Sequence, residues 1–254
     1  MSTPSTPTAF GIDIGGSGIK GAPVNLAAGE LTTDRMRIPT PAKSTPTAVA
    51  AVVEELVAGF DLAPEVPIGL TFPATIKHGV VPFIANLDKS WQGVDVPALM
   101  SEAIGRRVVA VNDADAAGYA EAVYGAAKGV DGVVFVATLG TGIGSVLIVD
   151  GTVVPNTELG HLEIDGHDAE SRAADSARER EDLSWAKWAK RLQRYFETIE
   201  MLFSPDLIVV GGGVSKKADQ FLPLLELQAP IVPAALRNQA GIVGAAALAA
   251  ANHR

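Results

Sequence analysis

Along this chain, short apolar runs alternate with stretches of helical period, and glycine, proline or polar clusters close each one. Phe10 to Ile14 reads as a strand, Gly15-Gly16-Ser17-Gly18 as a tight turn, and Ile19 to Leu26 as a returning strand. Val49, Val52, Val53, Leu56 and Val57 recur at helical spacing before a stop at Gly59. Pro67 to Phe72 predicts a strand, residues 78–81 and 82–86 short extended pieces, and Val96 to Ile104 a helix. The run from Val108 stops abruptly at Asn112-Asp113, and an alanine-rich helical pattern follows from Ala114 to Ala127. Val133 to Ala137 and Ser145 to Val149 are strands on either side of the glycine-rich residues 138–144. Residues 171–203 read as a long, charged, mostly helical region. Leu207 to Val210 is a buried-type strand running into Gly211-Gly212-Gly213, and an alanine-rich helix closes the chain at 236–251. Strand, glycine turn and strand therefore occur twice, each time followed by similar elements. This is an internal duplication of architecture, and it predicts an α/β fold in two similar lobes.

The candidate chemistry gathers at the breaks. An apolar strand that delivers Asn112-Asp113 to its C-terminal end, just before a helix, is where open α/β sheets place reactive groups. Asp113 could equally be a helix cap, since a carboxylate there accepts backbone N–H bonds. The two glycine turns can turn backbone N–H groups towards phosphate, because glycine permits unusual dihedrals and close approach. Neither is a dinucleotide fingerprint or a Walker loop: no long helix follows the first, and no Gly-Lys-Ser/Thr occurs. Asp13, in a strand end, needs a partner or a cation, and Lys20 is placed either to meet a phosphate or to be solvated. Pro155 to His161 packs an amide, an acid and an imidazole into seven residues. Glu158-x-x-His161 is a metal-ligand spacing on a helix, but Pro155 and Gly160 favour a loop, suited to sugar hydroxyls. Gly211 to Gly213 either let a flat base lie on the backbone or form a tight turn. Trp185, Trp188, Leu192 and Phe196 read as core or a dimer face, Trp91 as packing, and His78 as a turn residue.

Composition narrows the classes. A chain of 254 residues holds one large domain or two small ones. A net charge of −9 and a pI near 4.9 disfavour general nucleic-acid binding. The absence of cysteine excludes disulfides, thiolate catalysis and thiolate zinc sites. The first residues, MSTPSTPTAF, lack the features of a signal peptide and read as a short flexible tail. No apolar run is long enough to span a membrane, so a cytoplasmic location is expected.

The segments IDIGGSGIKG, NLDKSW, NDADAAG, GTGIGS, PNTELGHLE and GGGVSKKAD, in this order, resemble the ROK-type sugar kinases of the actin-like ATPase superfamily, in particular the polyphosphate-using group. The resemblance covers essentially the whole chain. It implies two ribonuclease H-like α/β domains flanking a cleft: 1–112 with a C-terminal helix at about 240–254, and 113–239. It implies transfer of a phosphoryl group from polyphosphate or ATP, with Mg²⁺, to the 6-hydroxyl of glucose, with mannose a second acceptor. On this resemblance Asp113 is the general base, and Asn112, Glu158, His161 and Glu170 hold sugar hydroxyls. Gly15, Gly16, Ser17 and Lys20 form the first phosphate loop, and Gly140, Thr141, Gly142 and Gly144 the second. Asp13 holds magnesium through water, and Gly211, Gly212 and Gly213 face adenine. Many members carry a cysteine-rich zinc motif after their Gly-His; this chain, like the polyphosphate-using group, does not, which argues against zinc. The repressors of the family carry an N-terminal helix-turn-helix, for which the phosphate motif starting at residue 11 leaves no room. Domain closure about hinges near Asn112 and before the last helix is expected, as is a homodimer. Lys20, Lys89, Lys128, Lys216, Lys217 and Arg237 are the cationic candidates for a polyanion path. The alternatives are an ATP-only hexose kinase and a sugar-binding protein without catalysis.

Overall fold

The computed structural model describes residues 8–83 and 88–252. Most of the extended piece expected at 82–86, and the tail up to Pro7, lie outside the described residues. Contacts divide the chain into two compact units, 1–120 with 239–254, and 121–238.

The first unit is built on a six-stranded sheet. β1 (Thr8–Gly15) and β2 (Gly18–Asn25) form an antiparallel hairpin in which Gly15 pairs with Gly18. β3 (Glu30–Leu31) and β4 (Met36–Ile38) both pair with β2. On the other side β1 runs parallel to β5 (Ile68–Phe72), which runs parallel to β6 (Val108–Asn112). Every residue of β5 is buried, as expected of a strand covered on both faces. Phe10, Ile12, Leu70 and Phe72 point to one face and join the core beneath α1 (Pro46–Ala58) and α2 (Val96–Ile104). Both helices start at a side-chain cap followed by proline in the first turn, Thr45 for α1 and Asp95 for α2. Trp91 is buried in the same core against Phe72 and donates to the Ser44 carbonyl at 2.7 Å, so it is a packing residue. His78 and Gly79, both at positive φ, form a two-residue turn.

The opposite face of the sheet carries glycine, and the reason is the C-terminal helix, Ala240–Ala251. A Cβ on Gly11 would overlap the carbonyl oxygen of Ile242, and one on Gly69 that of Ala245. The same helix meets α3 (Asp113–Tyr124) where Gly244 faces the Ala116 carbonyl. Small residues on both partners let backbone lie on backbone, which is why so alanine-rich a helix buries nearly all of its length.

The second unit repeats the plan. β7 (Val133–Leu139) and β8 (Ile143–Val149) form an antiparallel hairpin, and β9 (Thr152–Val154) extends it. Beyond the small β10 (Glu163–Ile164) and β11 (His167–Asp168), β7 also pairs in parallel with β12 (Leu207–Gly211), and β12 with β13 (Ile231–Pro233). The strand order β13-β12-β7-β8-β9 matches β6-β5-β1-β2-β3, with the same directions. The long helical region is three helices: α4 (Ala169–Ala173), α5 (Asp175–Arg180) and α6 (Trp185–Phe203). It breaks at Ala174, which is extended, and again before Ser184, whose hydroxyl caps α6. Trp188, Leu192, Tyr195, Phe196 and Ile199 of α6 are buried inside this unit, so that face is core and not a dimer face.

Candidate active site

The two glycine turns share one design. In the first, Gly15 and Gly18 belong to the strands, and only Gly16 and Ser17 form the tip. The Thr40 hydroxyl donates to the Gly15 carbonyl at 2.5 Å, and Arg37 Nη2 to the Ser17 carbonyl at 2.5 Å. In the second, the tip is Gly140-Thr141-Gly142, and Gly144 lies within β8 opposite Thr138. The Ser176 N–H donates to the Gly140 carbonyl at 3.0 Å, its hydroxyl to the Thr141 carbonyl at 2.6 Å, and the Gly140 N–H to the Gly142 carbonyl at 3.0 Å. Carbonyls are thus tied back in both turns. Among the described residues nothing accepts from the N–H groups of Gly16, Ser17, Thr141 or Gly142. Backbone N–H groups left without an acceptor in a turn can meet an anion.

The glycines themselves carry a second message. The sequence suggests that these turns need unusual dihedrals, but no glycine of either tip has positive φ. At Gly16, Gly140 and Gly213 an added Cβ would meet nothing within 4 Å. Packing does not demand glycine at these three positions, and its absence of a side chain leaves the backbone open to close approach. Gly211 ends β12, and Gly212 is structural: its φ is 84°, and a Cβ would overlap the Leu139 backbone.

Asp13 sits at the end of β1, on the face shared with the C-terminal helix. Its Oδ1 accepts from the Thr71 hydroxyl at 3.0 Å and lies near Gly241, in the first turn of that helix. Its Oδ2 meets Lys20 Nζ at 3.3 Å. The strand-end carboxylate therefore has its partners. With both oxygens engaged, the residue suits a cation held through water better than one bound directly.

At the β6–α3 junction Asn112 caps the helix through two backbone N–H groups, and Asp113 Oδ1 also accepts from Ala114 N at 2.9 Å. Asn112 Oδ1 accepts from Ala114 N at 2.8 Å and Asp115 N at 3.2 Å. The amide is buried and keeps only its Nδ2 hydrogens to offer, while Asp113, the first helical residue, is exposed.

The acid-histidine stretch forms a loop with a single 3-10 turn, Leu159–His161, as Pro155 and Gly160 suggest. It is clamped to β8. Ser145 and Thr157 exchange two hydroxyl-to-carbonyl bonds at 2.6 and 2.7 Å, and Leu159 N donates to Ser145 Oγ at 2.8 Å. A Cβ on Gly160 would overlap the Ile143 carbonyl. His161 Nδ1 lies 2.8 Å from Asp168 Oδ2 and 4.0 Å from Glu170 Oε1. The bond to Asp168, with the charge of Glu170 adding to it, holds the imidazole above its ordinary pKa. Glu170 Oε2 accepts from Ile143 N at 3.0 Å, so one carboxylate both braces the second glycine turn and faces the imidazole. Glu158 is exposed on the same loop. The ligand atoms of His161, Asp168 and Glu170 lie within 4.8 Å of one another. Hydrogen bonding accounts for that spacing, and we assign no metal there.

Asp168, Ser176, Thr40, Arg37 and Thr71 do not stand out in the sequence. Asp168 had one available signal, the Asp165-Gly166 pair at positive φ that turns β10 into β11 and sets Asp168 opposite Glu163.

The ROK family profile matches residues 9–176. The chain belongs to the ROK family. Within it, the chain is 52% identical over 238 residues to the polyphosphate glucokinase of Mycobacterium tuberculosis, covering 93% of this chain and 89% of that protein. The polyphosphate glucokinase of Mycobacterium leprae is 48% identical over 96% of this chain and 75% of its own length. The inorganic polyphosphate/ATP-glucomannokinase of Arthrobacter sp. strain KM superposes with a TM-score of 0.92 at 57% identity, over 97% of this chain and 99% of that one. The duplicated sheets are therefore those of the ROK kinases, in the actin-like ATPase class.

Proposed function

We propose that this protein transfers a phosphoryl group from inorganic polyphosphate or ATP to the 6-hydroxyl of glucose, with mannose as a second acceptor. The observation that carries the reading is the pair of glycine turns, each with carbonyls tied back and, among the described residues, N–H groups left without an acceptor. The polyphosphate-named relatives at 52% and 57% identity support the choice of donor and acceptor.

Phosphoryl transfer demands mainly orientation and charge neutralisation, and one carboxylate suffices to take the proton of the attacking hydroxyl. Asp113 is that base. Its position comes from β6 and the Asn112 cap, and its exposure leaves it accessible to a sugar. Asn112 offers Nδ2–H to a sugar hydroxyl, Glu158 and Glu170 offer carboxylate oxygens, and His161 offers Nε2 because Asp168 holds Nδ1. The turns at Gly16-Ser17 and Gly140 to Gly142 receive donor phosphates, and the open face of Gly213 receives adenine when ATP is the donor. Asp13 would hold Mg²⁺ through water, where the ion supplies neutralising charge to the phosphates. Among the described residues no helix is long and apolar enough to cross a membrane; we place the reaction in the cytoplasm.

The test is glucose 6-phosphate formation from glucose, Mg²⁺ and polyphosphate with nucleotide removed, beside an ATP control. Product in both is expected; product with ATP alone would remove polyphosphate from the reading. Asp113→Ala should lower turnover by about 10²–10⁴-fold while glucose still binds. Turnover near that of the unaltered enzyme would refute Asp113 as the base.

A further inference from the structure

We propose that Arg37 is a donor-specificity residue, binding the phosphates of polyphosphate that ATP does not possess. The inference rests on the reading of polyphosphate as a donor. Three observations carry it. First, the pairing register lines up Thr71, Asp13, Lys20 and Arg37 across β5, β1, β2 and β4. Side chains directly opposite one another share a face, so these four form one row, with strands about 4.8 Å apart. Second, the guanidinium is seated at the tip of the first glycine turn. It donates to the Ser17 carbonyl, and a Cβ on Gly18 would come within 2.6 Å of its Nε. Gly18 is thus the residue that makes room for the arginine. Third, Arg37, like Arg106, Arg107, Arg172 and Arg237, forms no ion pair among the described residues, and unlike Arg106 it is seated at a glycine turn. It is exposed, and its charge is left for an anion from outside.

The row supplies a direction. A donor whose terminal phosphate lies beside Asp13 meets Lys20 one strand out and Arg37 two strands out. Polyphosphate carries a negative phosphate at every link and can reach that cation with another one. ATP has three phosphates and then an uncharged nucleoside, which gains little from a guanidinium. An arginine fork also suits phosphate oxygens in geometry as well as charge.

The experiment compares kcat/KM for long-chain polyphosphate and for ATP, at one ionic strength, in the unaltered protein, Arg37→Gln and Arg37→Glu. Gln keeps an amide that can still donate to Ser17, so it removes charge while sparing the turn. The expected result is a polyphosphate kcat/KM that falls about tenfold further than the ATP value in Arg37→Gln, and further still in Arg37→Glu. Equal losses with both donors would overturn the proposal, reducing Arg37 to a brace for the turn. So would no loss with either. Failure of the unaltered protein to use polyphosphate at all would show that the donor reading itself is wrong, an outcome visible before any variant is made.

Discussion

In the proposed sugar site a histidine must present a defined nitrogen, and Asp168 fixes which one by engaging Nδ1. Its carboxylate takes Nδ1 at 2.8 Å, which leaves Nε2 as the acceptor when the ring is neutral. The same bond favours the imidazolium, so the folded-state pKa rises above the ordinary 6.5. The sign follows: this pairing stabilises the fold fully below 6.5 and ceases to as pH climbs through the raised folded value. Both groups are nearly half exposed, and solvent keeps the effect small. In an NMR titration the His161 resonance should therefore have its midpoint above 6.5, and Asp168→Asn should bring it down. The same variant should raise the KM for glucose by about tenfold with a smaller change in kcat, because an asparagine can face Nδ1 with either its oxygen or its amide hydrogens. An unchanged midpoint in Asp168→Asn would show that the 2.8 Å contact does not control the ring.

At the scale of elements, the turns separate what folding requires from what binding requires. Gly140 has neither positive φ nor a neighbour for a Cβ, whereas Gly212 has both constraints. Gly140→Ala should then leave stability unchanged or raise it by about 0.4–1 kcal/mol by stiffening the unfolded chain. The donor KM should rise, because the methyl group occupies space needed for phosphate. Gly212→Ala should destabilise by more than about 1 kcal/mol. Thermal unfolding and donor kinetics on the two variants give the comparison, and a stable Gly140→Ala enzyme with unaltered donor KM would remove that turn from the site. Sequence reading reached the elements whose signals are local. α2 has its Asp95 cap, Pro97 in the first turn and Gly105 at positive φ after the end, and β6 stops where Asn112 becomes a cap. It did not separate α4, α5 and α6, because apolar spacing continues across Ala174 and only the backbone shows that residue to be extended. Nor could it reach Asp168 or Arg37: strands of two and three residues are too short for an alternating pattern, and their importance comes from what they are paired with.

For the whole molecule the question is how a chain with net charge −9 accepts a polyanion. The duplicated sheet answers part of it. The same hairpin occurs at the head of each unit, so phosphate can be met by backbone N–H groups, which contribute no net charge and no counter-ions. The rest must come from cations close to the donor, since the overall field opposes its approach. These two contributions respond to salt in opposite directions. Near 0.15 M the screening length is about 8 Å, so added salt removes the long-range repulsion first, and then weakens exposed cation–phosphate contacts. If a local row such as Lys20 and Arg37 dominates, the polyphosphate KM should rise with added KCl more steeply than the ATP KM, because the longer donor makes more charge contacts. If the net charge dominates, the polyphosphate KM should fall instead. Measuring both constants from low to high KCl at fixed Mg²⁺ decides between them. A falling or parallel response would mean that the backbone turns alone hold the donor and that no cationic path serves it.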